Sequence, residues 1–139
     1  MTDRAVFRNA TAVILFHALI NLAHGAAHHH LGVAITESQL LFVALVSGIA
    51  PFIALALFWR SAAKPAAVLL GISMAASLLF GAYYHYVAVS PDHIAHLPSG
   101  DVQGVFRLTA FLLTASQLLG LTAAMWILIR PEHQDRERV

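Results

Sequence analysis

Four stretches of this chain contain no Asp, Glu, Lys or Arg: Asn9 to Thr36, Ser38 to Trp59, Pro65 to Pro91 and Leu108 to Ile129. Each exceeds the ~20 apolar residues with which an α-helix crosses ~30 Å of hydrocarbon. Four crossings leave little of the 139 residues for anything else. A water-soluble bundle of such helices would show polar faces at the helical period, and Leu40 to Trp59 shows none. A β-barrel would alternate polar and apolar residues over about 10 positions, whereas these runs are continuously apolar and rich in Leu and Ala. The expected fold is therefore all-α, one integral membrane four-helix bundle of up-down-up-down topology spanning 1–139.

Composition agrees with that class. Hydrophobic residues make up 59% of the chain and charged residues 11%, against roughly 25% charged in an ordinary soluble domain. The chain has no cysteine, which excludes disulfides, thiolate catalysis and Cys-ligated zinc. A net charge of +1 without a basic run argues against nucleic acid as a partner. The partner implied is the lipid bilayer, with a homo-oligomer or a larger membrane complex as further options.

Punctuation along the chain sets the expected elements: helices at about 5–29, 38–59, 65–89 and 102–130, loops at 30–37 and 90–101, and a charged tail at 131–139. Arg4 and Arg8 before Ala12 to Ala23, followed by Gly25-Ala26-Ala27, have the outline of a secretory signal, but the first helix is expected to be retained. Thr36-Glu37-Ser38-Gln39 has capping-box spacing. Ser47, Gly48 and Pro51 predict a kink in the second helix, because proline removes a backbone donor and crowds the preceding turn. Pro65 suits the first turn of the third helix and Pro91 its end, while Asp101 is the expected cap of the fourth. Gly71, Ser73, Ala75, Ala76 and Ser77 predict close packing on the third helix or, as the alternative, a place for a prenyl chain.

Basic residues orient the bundle. Seven of the eight, Arg4, Arg8, Arg60, Lys64, Arg130, Arg136 and Arg138, fall on one side of four crossings, so both termini are expected to be cytoplasmic. The first and third connections then face outward with Glu37, Asp92 and Asp101 and no Lys or Arg. The expected location is a bacterial inner (plasma) membrane.

Histidine carries the chemistry. His17, Asn21, His24 and His28 follow one another at intervals of 4, 3 and 4 residues and so form one stripe on the first helix. Lipid offers such a stripe no partner, so it must face the bundle interior. In an up-down-up-down bundle the first and third helices are diagonal, which lets His24 or His28 face His85 across the core. His93 and His96 lie in the outward loop that follows. His24-x-x-x-His28 places two imidazoles one turn apart, a spacing suited to Zn, Cu or Fe, which prefer nitrogen ligands. The metal ligands expected are His24, His28, His85, His93 and His96, with Asp92, Asn21 and His17 in supporting positions.

Haem b is the alternative cofactor, with His24 and His85 as axial ligands, Gly25 and Gly81 leaving room for the macrocycle and Arg107 pairing an anion or propionate. Haem uses at most two histidines per iron, so the surplus favours a non-haem ion. A third possibility is a cofactor-free accessory subunit of a larger complex, its histidines anchoring helices. His24-Gly-Ala-Ala-His28-His29 has the form of the HxxxHH box of membrane fatty-acid desaturases and hydroxylases, but those enzymes carry further boxes, and this six-residue match identifies no family. No serine is tied by spacing to a histidine and no glycine-rich phosphate loop is present. Hydrolysis by a metal-bound water, with Asp92, Asp101 or Glu37 as base, is compatible with the sequence but not selected by it. Metal handling or membrane redox chemistry near the outer surface is the expected role.

Overall fold

The computed structural model describes residues 3–129, with side chains from residue 8 onward. The expected end of the fourth helix at Arg130 and the tail at 131–139 lie outside the described residues. Four helices, α1 (Asp3–Leu31), α2 (Glu37–Trp59), α3 (Ala63–Val87) and α4 (Gln103–Leu128), are each long and apolar enough to cross a membrane.

Polarity is turned inside out relative to a soluble bundle. His17, His24, Ser116 and Gln117 are buried, while Leu22 at 73%, Leu79 at 72% and Phe111 at 64% stand exposed on the outside. In water that shell would be a large wetted apolar surface. In hydrocarbon it is the compatible face, and the interior is the only place where the polar groups find partners.

The helices pack as a ring in which α1 contacts α4, α4 contacts α3 and α3 contacts α2 extensively, whereas the α1–α2 seam is thin. Helices α1 and α3 therefore stand diagonally. Small residues set the closest approach, between α3 and α4. A Cβ on Gly71 would meet Ala124 at 3.4 Å, and one on Gly120 would lie 2.8 Å from Met74 Cγ, so a larger residue at Gly120 forces Met74 out of its buried position. Ile14, Phe58, Leu70, Met74 and Ala124 form the core at one end of the bundle. At the other end Ala27, Leu31, Val33 and Phe106 are covered by Ile94, Leu97 and Val102, which places the connections 32–36 and 88–102 together there.

Thr36 and Gln39 start α2 with the capping box that their spacing predicts: Gln39 N–H donates to Thr36 Oγ1 and Thr36 N–H donates to Gln39 Oε1. Helix α1 ends at Gly32, whose φ of +62° is readily adopted only without a side chain. Gly32 N–H then reaches His29 O and Val33 N–H reaches His28 O, the paired bonds of a Schellman turn. The same pair closes α2, where Ser61 N–H reaches Phe58 O and Ala62 N–H reaches Leu57 O, but there the left-handed position is held by Ser61 at φ 59°.

The break expected near Pro51 takes the form of a π-helical segment, Val43–Ile49, between the α-helical stretches Glu37–Phe42 and Ala50–Trp59. Ala50 N–H bonds Leu45 O, five residues back. Pro51 has no N–H to offer Val46 O in that wider register or Ser47 O in the α register. Both carbonyls are taken by other helices: Ser73 Oγ donates to Val46 O at 2.6 Å, and His17 Nε2 donates to Ser47 O at 3.2 Å. A second π segment, Tyr83–Val87, ends α3 two residues earlier than the sequence pattern predicts, because the chain turns extended at Ala88 before Pro91 is reached. Asp101 does not cap α4: the capping position is Val102, without a side-chain bond, and Gln103 Nε2 instead donates to Pro98 O at 2.7 Å.

Candidate metal centre

Three elements converge at the end of the bundle that carries the two loops. Helix α1 supplies His24 and His28, the π segment of α3 supplies His85, and the loop after it turns back to bring in Asp92. That return is a backbone feature. Ile94 N–H donates to His85 O and His93 N–H to Ser90 O, folding the loop over the end of α3. Asp92 is thereby buried beneath its own loop.

The side chains are in contact. The rings of His24 and His28 have centroids 4.8 Å apart, those of His24 and His85 also 4.8 Å, and those of His28 and His85 6.3 Å. Phe106 of α4, fully buried, lies against all three at 4.6, 4.8 and 5.8 Å and closes one side of the cluster. Asp92 Oδ1 is 3.1 Å from His28 Nε2 and 3.2 Å from His85 Nδ1. Both nitrogens are within hydrogen-bonding distance, but neither N–H points squarely at Oδ1, which is held by the closeness of the two imidazoles. One ligating atom from each of His24, His85 and Asp92 lies within 4.8 Å of the other two.

The tautomers follow from the surrounding network. Thr109 Oγ1 donates its single proton to backbone carbonyls of its own helix, Val105 at 2.8 Å or Phe106 at 3.0 Å. It can only accept from His24 Nδ1 at 2.9 Å, so Nδ1 carries the proton and Nε2 keeps its lone pair. His85 Nδ1 likewise donates to the Asp92 carbonyl at 3.2 Å, which leaves its Nε2 as the free nitrogen. His24 Nε2, His28 Nδ1 and Asp92 Oδ1 are buried with no hydrogen-bond partner. An orphaned buried polar atom costs about 1–3 kcal/mol. Three such atoms lie together in one cluster.

Burial works against ionisation of the Asp92 carboxyl, but the close imidazoles of His28 and His85 outweigh it and hold Asp92 below the usual carboxylate range. Among the described residues only imidazoles lie within ion-pairing distance of it. A buried carboxylate faced by imidazoles, with no Lys or Arg beside it among the described residues, fits a donor set for a cation.

The other expected site residues lie apart from this group. His93 and His96 pair with each other near the surface, their Nδ1 atoms 3.2 Å apart, with Ala95 N–H also donating to His93 Nδ1. They do not join the group formed by His24, His85 and Asp92. Arg107 is exposed and its Nε donates to Ile94 O at 3.0 Å, so it pins the loop that carries Asp92. His17 sits deeper, between Ser116 Oγ at 3.0 Å and Ser47 O. Asn21 lines a cavity of about 200 Å³ below the cluster together with His24, His28, His85, Ser77 and Gln117.

Two contributors escape the sequence reading. Phe106 and Thr109 read as ordinary members of an apolar helix; only their one-turn spacing, on the face that also bears Gln117, hints that they act together. Asp92, expected in a supporting position, stands among the candidate ligands themselves. Compared with known proteins, this chain matches no protein family, no curated protein and no solved structure.

Proposed function

We propose that this chain is a small integral membrane protein that binds one transition-metal ion, zinc, copper or iron, through His24, His85 and Asp92, with His28 as the fourth donor, and that it serves metal handling or redox chemistry at the outward face of the membrane. The observation that carries this reading is the set of buried donor atoms without partners, His24 Nε2, His28 Nδ1 and Asp92 Oδ1, in a cluster whose His24 tautomer is fixed by Thr109. Two imidazoles and a carboxylate suit zinc or non-haem iron, and a third imidazole completes the four donors of a tetrahedral site. The outward orientation rests on the distribution of Lys and Arg.

An ion is favoured over haem b by the contact between His24 and His85. Their rings touch edge to face with centroids 4.8 Å apart, whereas axial imidazoles stand on opposite faces of a macrocycle and are separated by it. Elemental analysis of protein purified without chelator or histidine tag tests the reading. The expected result is one metal per chain, reduced at least tenfold in His24→Ala and His85→Ala. An intense Soret band would instead assign the pair to haem, and neither metal nor Soret band would leave the accessory-subunit reading.

A further inference from the structure

The thin α1–α2 seam holds a second cavity, unlike the first. It has a volume of about 470 Å³ and is lined by Ala18, Leu22, Gly48, Ile49, Phe52 and Ile53, with Asn21 at its inner edge. Asn21 also lines the cavity of about 200 Å³ under the histidine cluster, and Gly48 of the outer groove adjoins Ser47 of the inner cavity. An apolar groove on the membrane-facing side and a mostly apolar chamber inside the bundle thus lie side by side, with Asn21 lining both. The seam where they meet is the one where neighbouring helices pack least.

The chamber contains an unanswered hydrogen-bonding group. Gln117 is 4% exposed, lines the chamber and has no hydrogen-bond partner among the described residues. Gly81 faces it, a Cβ there coming within 4.0 Å of Gln117 Oε1. The Asn21 amide, half-buried at the junction, also has no partner among the described residues. Ser47 and Ser77 by contrast satisfy one another at 2.6 Å. Away from the histidine end the chamber is lined by no charged residue, so a charged group would be buried there uncompensated. At ~30 Å³ per water the chamber admits a group the size of about six waters.

We propose that the α1–α2 seam is a lateral binding site for a long-chain lipid with a small, uncharged, hydrogen-bonding head: the chain lies in the groove between Leu22 and Phe52, and the head enters the chamber to bond the amides of Gln117 and Asn21. A molecule so placed has its head beside His24 and His85. The site goes beyond the metal reading and shares with it only the membrane setting.

A photoreactive long-chain primary alcohol, with the diazirine in its chain, tests the proposal on the full-length protein in nanodiscs. Labelling is mapped by peptide mass spectrometry. The expected pattern is saturable labelling confined to residues 18–25 and 46–56, competed at least fivefold by unlabelled hexadecanol and reduced about tenfold in Gln117→Leu. Gly48→Leu, which adds a side chain at a residue lining the groove, is expected to abolish it. This second variant decides the matter if Gln117→Leu does not fold. A photoreactive phosphatidylcholine of equal chain length that labels the seam equally well, labelling spread evenly around the bundle, or saturable labelling indifferent to both substitutions would each overturn the proposal. Chelator-treated and metal-loaded protein are labelled in parallel. Seam labelling without metal binding sinks only the metal reading, and metal binding without seam labelling sinks only this one.

Discussion

Thr109 Oγ1 lies 2.9 Å from His24 Nδ1 and has already committed its proton to its own helix, so a hydroxyl on α4 decides which nitrogen of a histidine on α1 is left bare. Partners of this kind typically contribute 10–100-fold to metal affinity. Thr109→Val keeps the shape of the side chain and removes the acceptor. It is expected to weaken metal binding by about that factor in competition with a chromogenic chelator, while Thr109→Ser stays near the parent protein. Equal affinity for all three proteins would remove the hydroxyl from the site.

Asp92 gives the centre a distinctive response to pH. Its folded-state pKa is lowered, so the stability its charge contributes is present above the ordinary carboxylate range and is lost only as pH falls through the lowered value. The carboxylate is therefore still charged at a pH where an ordinary carboxyl group would already be neutral. Metal release on acidification is therefore not expected to coincide with ordinary carboxylate protonation near roughly pH 4. Asp92→Asn removes one negative ligand and is expected to shift release to higher pH. Release at the same pH in Asp92→Asn and in the parent protein would remove the carboxylate from the site.

His17 tests a different kind of dependence. An ordinary hydrogen bond between membrane helices averages only about 0.6 kcal/mol. Ser47 O is a special acceptor, however, because Pro51 has no N–H to offer it, and an emptied buried acceptor costs about 1–3 kcal/mol. His17→Phe should destabilise the bundle by about the larger amount. In a Pro51→Ala background, where an amide is restored, the same substitution should be milder. Reversible unfolding in mixed micelles measures both; an identical loss in the two backgrounds would refute the link between His17 and Pro51.

Ser61 is a site where stability can be gained. A side chain in the left-handed region costs roughly 1–2 kcal/mol, and glycine avoids it at some expense in unfolded-chain entropy. Ser61→Gly is expected to raise stability by about 0.5–1 kcal/mol, read as a higher unfolding midpoint with metal content unchanged. A lower midpoint would show that Ser61 makes a compensating contact.

Much of the architecture is legible from spacing alone. Charge-free runs of membrane-crossing length mark the four helices, and the 4, 3, 4 interval from His17 to His28 puts those residues on the inward face. Thr36 and Gln39 announce a helix start because a capping box is local chemistry. What spacing does not encode is the path of the loop. Asp92 reaches the centre because Ile94 N–H finds His85 O, a bond between backbone groups that carries no side-chain signature. The same is true in reverse of His93 and His96, which share the loop with Asp92 but turn toward each other. Asp101 resembles a helix cap, but Gln103 already ties the loop to the start of α4. Pro51 announces a disturbance without saying that it would be a π segment, since that depends on Ser73 and His17 being at hand to take the freed carbonyls.

The centre draws its donors from the first helix and from the far end of the third. A nascent chain that has delivered only two helices to the bilayer holds His24 and His28 but neither His85 nor Asp92. It has half of the candidate donor set and no means of completing it. The site comes into being only when the third helix is inserted and its loop has folded back. An ion bound there would hold the beginning of the chain to a part made much later, and its retention would distinguish finished molecules from those still under construction.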